Sequence, residues 1–120
     1  MKKFIIFASL FAWFPAFSQW QSVLKLEPNV ELFIGPKTFQ KKEHLRSVEI
    51  LLNEPQKIER KSLKALLIFN CKDKKFRVKE MIVYEKINAE GRAKNTGDTD
   101  WMGIGSNDLF GSIAPALCAN

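Results

Sequence analysis

The chain holds one histidine, two cysteines and thirteen carboxylates. These are the side chains that could carry out acid–base, nucleophilic or metal chemistry, provided their spacing lets them meet. General acid–base catalysis needs a titratable group held against a partner. His44 stands in Lys41-Lys42-Glu43-His44, a charged stretch with no reason to be buried, and is expected in a solvated turn. Gly35-Pro36-Lys37-Thr38 has the residue types of a phosphate loop. It lacks that motif's first glycine and spacing, and Pro36 removes an amide the cradle would use, so it too is expected to be a turn. Asp98 and Asp100 beside Trp101 have the residue types of a sugar site. Paired carboxylates must flank a bond, however, and two in a polar run are expected to be solvated. His44, Cys71 and Cys118 have no metal-ligand spacing. No cofactor, metal or catalytic residue is therefore expected, and the chain reads as a non-enzyme.

The cysteines belong to a different chemistry. Met1-Lys2-Lys3 gives a positive start, Phe4 to Phe14 is apolar apart from Ser9, and Pro15-Ala16-Phe17-Ser18 ends the run in a break and small residues. That is the plan of a secretory signal peptide over residues 1–18, with cleavage expected between Ser18 and Gln19. The run is well short of the roughly 20 apolar residues that span a bilayer, so no transmembrane anchor is expected. An exported chain meets an oxidising compartment, where two cysteines have one intramolecular pairing to make, whereas two buried thiols would suit the cytosol. A Cys71–Cys118 bridge would contribute about 4 kcal/mol on the chain-entropy estimate.

Charge is the remaining signal. The 120-residue chain has 19 Lys and Arg against 13 Asp and Glu, a formal +6, and the signal peptide removes two of those lysines. Lys57, Arg60, Lys61 and Lys64 precede one apolar segment, and Lys72, Lys74, Lys75, Arg77 and Lys79 follow it. On neighbouring strands they would form a basic face that attracts acidic protein segments, heparin-like polysaccharide or anionic surfaces. Lysines that merely keep a sheet edge from aggregating would look the same. Nucleic acid is not an expected partner of an exported chain with so small an excess charge.

The elements that would position these residues are strands. Apolar side chains recur at every second position in Leu24 and Leu26, in Val30, Leu32 and Ile34, in Val48, Ile50 and Leu52, and in Phe76 and Val78. A period of two marks half-buried strands. Turns are expected at Glu27-Pro28-Asn29, Gly35-Pro36, Asn53-Glu54-Pro55, Cys71-Lys72-Asp73-Lys74 and Asn88-Ala89-Glu90-Gly91. Ala65 to Phe69 is apolar throughout, as suits a central strand covered on both faces. Met81 to Tyr84 is apolar on both phases, which requires a bulge near Glu80 or passage from an exposed to a covered position. Ala93 to Thr99 is expected to be an exposed loop. At the C-terminus, Ser106 or Asn107 could cap a helix whose Leu109, Phe110, Ile113 and Leu117 share a face, with Asp108 favouring its first turn. Pro115 should kink that helix or divide it near Ala114. The fold expected is α+β: a single antiparallel β-sheet meander over residues 19–120 with a C-terminal α-helix packed on it and one disulfide.

The order of parts resembles the surface-adhesin protein E family of proteobacteria. The residues that carry the likeness are an export signal, Trp20 at the mature start, Phe69-Asn70-Cys71 closing a strand, a basic segment after it, Trp101 with Ile104, and a terminal Leu117-Cys118-Ala119-Asn120. The resemblance implies the same sheet and helix fastened by Cys71–Cys118. It also implies binding of host extracellular-matrix and complement-regulatory proteins, such as laminin and vitronectin, through a basic stretch upstream of the first cysteine. Here that stretch is Lys57, Arg60, Lys61 and Lys64. The family's adhesin is a surface lipoprotein, whereas this signal segment has no lipid-bearing cysteine, so a periplasmic or secreted protein is expected alongside a cell-surface one. Sheet edges could support a homodimer, as in the adhesin. Two functional expectations follow: an exported binding module with a basic face for a protein or acidic ligand, or a soluble periplasmic inhibitor or accessory protein. The second would dock on an envelope partner through Asp98, Asp100 and Trp101.

Overall fold

In the computed structural model the described residues are 20–26, 29–105 and 108–119. The signal segment, Ser18 and Gln19 of the cleavage site, Glu27-Pro28 and the capping residues Ser106 and Asn107 lie outside them. Strands β1 (Gln21–Leu26), β2 (Val30–Lys42), β3 (Leu45–Asn53), β4 (Ser62–Asn70), β5 (Lys75–Lys86) and β6 (Glu90–Asn95) pair in sequence order, all antiparallel, and β7 (Met102–Gly103) pairs with β5. Two helical turns follow, α1 (Asp108–Gly111) and α2 (Ala114–Leu117).

Because side chains alternate across a strand, paired residues share a face. One face collects Leu32, Val48, Ile50, Leu52, Leu63, Ala65, Leu67, Phe69, Phe76 and Val78, and onto it pack Phe110, Ile113 and Ala114, with Leu109 and Leu117 partly buried beside them. The C-terminal segment is therefore the cover that its spacing predicts. It is divided where Pro115 requires: Pro115 stands in the first turn of α2, where a missing N–H costs no helical bond.

The second face carries no helix among the described elements. Leu66 and Ile68 of β4 lie on it half-buried, so the expectation of a strand covered on both faces is corrected; of the five residues from Ala65 to Phe69, Ala65, Leu67 and Phe69 point into the core. The phase change in β5 is a bulge. Leu67 pairs with Val78 and Leu66 with Glu80, which leaves Lys79 unpaired and turns Ile82 and Tyr84 to the second face.

Two further expectations are corrected. Gly35-Pro36 is not a turn but lies inside β2, where Pro36 to Phe39 stand opposite Val48 alone. Thr38 holds this irregularity, its Oγ1 donating to the Gly35 carbonyl at 2.6 Å and accepting from the Glu49 N–H at 2.8 Å. Likewise Ala93 to Asn95 are strand rather than loop, pairing with Ile82 to Tyr84 as part of β6.

Between β5 and β6 the chain reverses through Asn88 and Ala89, both at positive φ of about 60°. Two buried side chains from elsewhere hold it there. Asn53 donates to Asn88 Oδ1 at 2.8 Å and accepts from the Asn88 N–H at 2.9 Å, while Ser62 Oγ donates to the Lys86 carbonyl and accepts from the Ala89 N–H at 3.0 Å. Ser62→Ala strips both backbone groups of that partner, and unfolding in urea should show a loss of about 1–2 kcal/mol.

Candidate binding surface

His44 is exposed in the turn between β2 and β3, and only its backbone is engaged, the carbonyl accepting from the Cys71 N–H at 2.9 Å. Among the described residues no three His, Cys, Asp or Glu side chains are grouped so as to hold a metal ion. Asp98 and Asp100 do not converge: Asp98 pairs with Arg77 at 3.1 Å, while Asp100 accepts from Thr99 Oγ1 through its backbone carbonyl. The segment 96–101 is anchored rather than loose. Thr99 exchanges bonds with Val78 through its N–H (2.9 Å) and Oγ1 (3.0 Å), and the Arg77 guanidinium lies 5.9 Å from the Trp101 ring centre, within cation–π range.

The four candidate cations upstream of Cys71 have separate roles. Lys61 braces the loop between β3 and β4, its Nζ donating to the carbonyls of Pro55 and Lys57, both at 3.0 Å, while its backbone N–H donates to Tyr84. Glu54 closes the same loop, accepting from the Lys57 N–H and donating its own to the Lys61 carbonyl at 2.7 Å. On this framework stand Lys57, exposed, Ile58, 91% exposed, and Arg60, 3.9 Å from Glu54. Lys64 is apart from them, on the second face of the sheet with Glu49, Glu80, Leu66 and Ile82.

The loop has neighbours that the linear sequence did not suggest. A groove of about 480 Å³ runs from Arg60 past Tyr84 to Arg92 and Lys94. These β6 cations meet the loop because β4 and β6 both flank β5. In the sequence they sit in a polar run without periodicity, and only the pairing of β6 would have signalled them.

The second basic cluster lies elsewhere. The loop 54–61 precedes β4 and the turn 71–74 follows it, so nine strand residues separate Lys61 from Lys72 and Lys74, about 30 Å at the usual rise per residue. Of the expected basic face, the loop and turn cations lie at two ends of one sheet, while Lys64 of β4 and Arg77 and Lys79 of the neighbouring β5 stand between them on the second face.

Cys71 and Cys118 are bonded, with Cα atoms 5.7 Å apart, which ties α2 to the end of β4. No helix among the described residues is long and apolar enough to cross a membrane.

This fold has relatives. In the solved structures, protein E of Haemophilus influenzae in crystal form II superposes with a TM-score of 0.63 at 15% identity, covering 86% of this chain and 89% of that one. Its selenomethionine form gives 0.61 at 14% over 86% and 88%. Protein E from a non-typeable strain gives 0.57 at 12% over 82% and 76%. No curated protein matches the sequence. The model of the surface-adhesin protein E family matches residues 20–119, nearly the whole of the described chain, and the protein belongs to that family.

Proposed function

We propose that the protein is an exported, non-enzymatic binding module that engages a macromolecular partner through the β3–β4 loop. The observation that carries this reading is a large apolar side chain, Ile58, 91% exposed between two cations on a loop stiffened from within. An exposed aliphatic side chain gives a protein partner something to desolvate, and flanking charges steer the approach. Bracing by Lys61 lowers the cost of ordering the loop on contact. The adjoining groove is of mixed charge, with Arg60, Arg92 and Lys94 beside Glu59 and Glu85 and Arg92 paired with Glu85 at 3.5 Å, so the attraction for acidic side chains rests on Lys57 and Arg60 of the loop. Family membership favours the host extracellular-matrix proteins that the sequence resemblance implies, laminin and vitronectin among them, as the first partners to assay.

The test is binding to immobilised laminin and vitronectin at rising ionic strength. Lys57→Glu with Arg60→Glu should weaken binding about tenfold or more, and raising salt from about 0.05 to 0.5 M should weaken the wild-type protein similarly. Ile58→Ser, which removes the apolar surface without changing charge, should cost as much with little change in the salt dependence. Binding that survives all three changes would remove the loop from the interface. Lys61→Glu is the wrong probe, because it would unbrace the loop as well as change its charge.

A second reading, a periplasmic accessory protein docking through Asp98, Asp100 and Trp101, draws support from Trp101, which stays 42% exposed although the segment around it is anchored. It predicts a partner that survives the loop substitutions and is lost on Trp101→Ala.

A further inference from the structure

We infer that the opposite end of the sheet is a second binding site, for a sulfated polysaccharide. There the β2–β3 and β4–β5 turns meet: Leu45 pairs with Asn70, and the Cys71 N–H donates to the His44 carbonyl at 2.9 Å. This contact brings Lys41, Lys42 and His44 beside Lys72, Lys74 and Lys75, all exposed, although nearly thirty positions of sequence separate the two groups. The acids of this end are Glu43 and Asp73, and Asp73 is turned to Asn70, accepting from Asn70 Nδ2 at 3.2 Å. Among the described residues no carboxylate lies within ion-pair distance of the five ammonium groups, so their charge is directed to solvent.

The end is also rigid. Asn70 Oδ1 accepts from the Asp73 N–H at 3.0 Å, the Lys74 carbonyl accepts from the Ile104 N–H at 3.0 Å, Arg46 Nη1 donates to the carbonyls of Glu43 and Leu45, and the Cys71–Cys118 bond fixes the base of the second turn. A ligand therefore meets charges whose backbone positions are already set.

The chemistry selects the class of ligand. None of the exposed large apolar side chains belongs to either turn; Phe39 of β2 and Trp101, which precedes β7, stand outside them, so the surface of the turns themselves is cationic. It is built from lysine, which presents point charges, rather than from the arginine fork that reads a planar carboxylate in two bonds. The charges stand at the ends of β2 and β5 and in the turns between, with β3 and β4 separating them, a span of about 14 Å at normal strand spacing. A linear polyanion lying across the two turns satisfies all of these features, and a sulfated glycan is such a polymer.

This site is independent of the β3–β4 loop, and its test uses a different ligand. The full chain, disulfide intact, is titrated with heparin in about 0.1 M salt, one Debye length being about 10 Å there. Lys42→Gln with Lys72→Gln should weaken binding about tenfold or more, and Lys25→Gln with Lys86→Gln, which removes the same charge elsewhere, should change it less than about twofold. Melting temperatures and non-reducing gels confirm that both variants remain folded. Equal losses in the two variants would mean that net charge alone attracts heparin, and would overturn the proposal. So would an absence of heparin binding, or binding to vesicles of anionic phospholipid in preference to heparin.

Discussion

Phe69→Ala should lower the free energy of unfolding by about 3–5 kcal/mol, among the largest single losses available in this fold. Phe69 and Phe76 are cross-strand neighbours on β4 and β5, both fully buried, with ring centres 5.7 Å apart and planes inclined by 24°. Their neighbours on the same face are Val48, Leu67 and Val78, and the helical cover comes from Phe110 and Ile113. Truncation removes the ring's transfer energy and leaves a cavity that close-packed strands cannot collapse, because backbone hydrogen bonds on both sides of β4 fix the strand spacing. Phe69→Leu fills most of that volume and should cost about half as much. The stacked pair should also be coupled: in a double-mutant cycle with Phe76→Leu the two losses should fall short of additivity by about 0.5–1.5 kcal/mol. Urea unfolding of the wild type, the three single variants and the double variant checks all of this, and a Phe69→Ala loss under about 1.5 kcal/mol would show that the helical cover re-packs into the space.

The parts of this fold that follow local rules were legible in the sequence. Val48, Ile50 and Leu52 alternate because β3 turns them to the core face and Ser47 and Glu49 to the other, and Pro115 breaks the terminal helix because the ring and the missing N–H act within one turn. The bulge after Leu66 was legible as a choice between two explanations, since an apolar run such as Met81 to Tyr84 must change phase somehow. What was not legible depends on partners distant in sequence. Gly35-Pro36 looks like a turn until Thr38 finds the Glu49 amide on the next strand. β6 has no apolar alternation because all six of its residues are exposed, and as an edge strand it is held by backbone pairing while its charged side chains discourage further pairing.

The candidate sites show the same division. The cations upstream of Cys71 could be counted from sequence, but not the division of labour among them. Lys61 turns inward because two carbonyls of its own loop are within reach of its ammonium group, leaving Lys57 and Arg60 to face outward. The basic group after Cys71 was legible as charge and only in part placed in space. Sequence order sets the two groups on neighbouring strands, whereas the hairpins also set the turn cations Lys72 and Lys74 beside Lys41, Lys42 and His44. Charge type is local information; its neighbours are decided by topology.

Cutting the disulfide should have an effect as large as the core truncation, by another route. The bridge closes a separation of 47 residues, for which the chain-entropy estimate is about 4 kcal/mol, acting through the unfolded chain. That term alone predicts a fall in melting temperature of roughly 15–30 °C for a domain of this size in the Cys71→Ser, Cys118→Ser variant. The native state gives a second reason to expect a loss. α1 and α2 are four residues each, far too short to be helical without tertiary contacts, so their place over Phe69 and Phe76 depends on packing and on the bridge at Cys118. Without the bridge the segment from Leu109 to Leu117 should open before the sheet does, because the backbone ladders of β1 to β6 do not involve it. Amide exchange separates the two contributions. If the loss is confined to the unfolded state, protection falls in proportion throughout the chain. If the cover also detaches, the amides of Leu117 and residue 118, which bond to the Ile113 and Ala114 carbonyls, lose protection far more than those of β3 and β4. A variant that unfolds within about 1 kcal/mol of the oxidised protein, with both amides still protected, would mean that apolar packing alone holds the helix on the sheet.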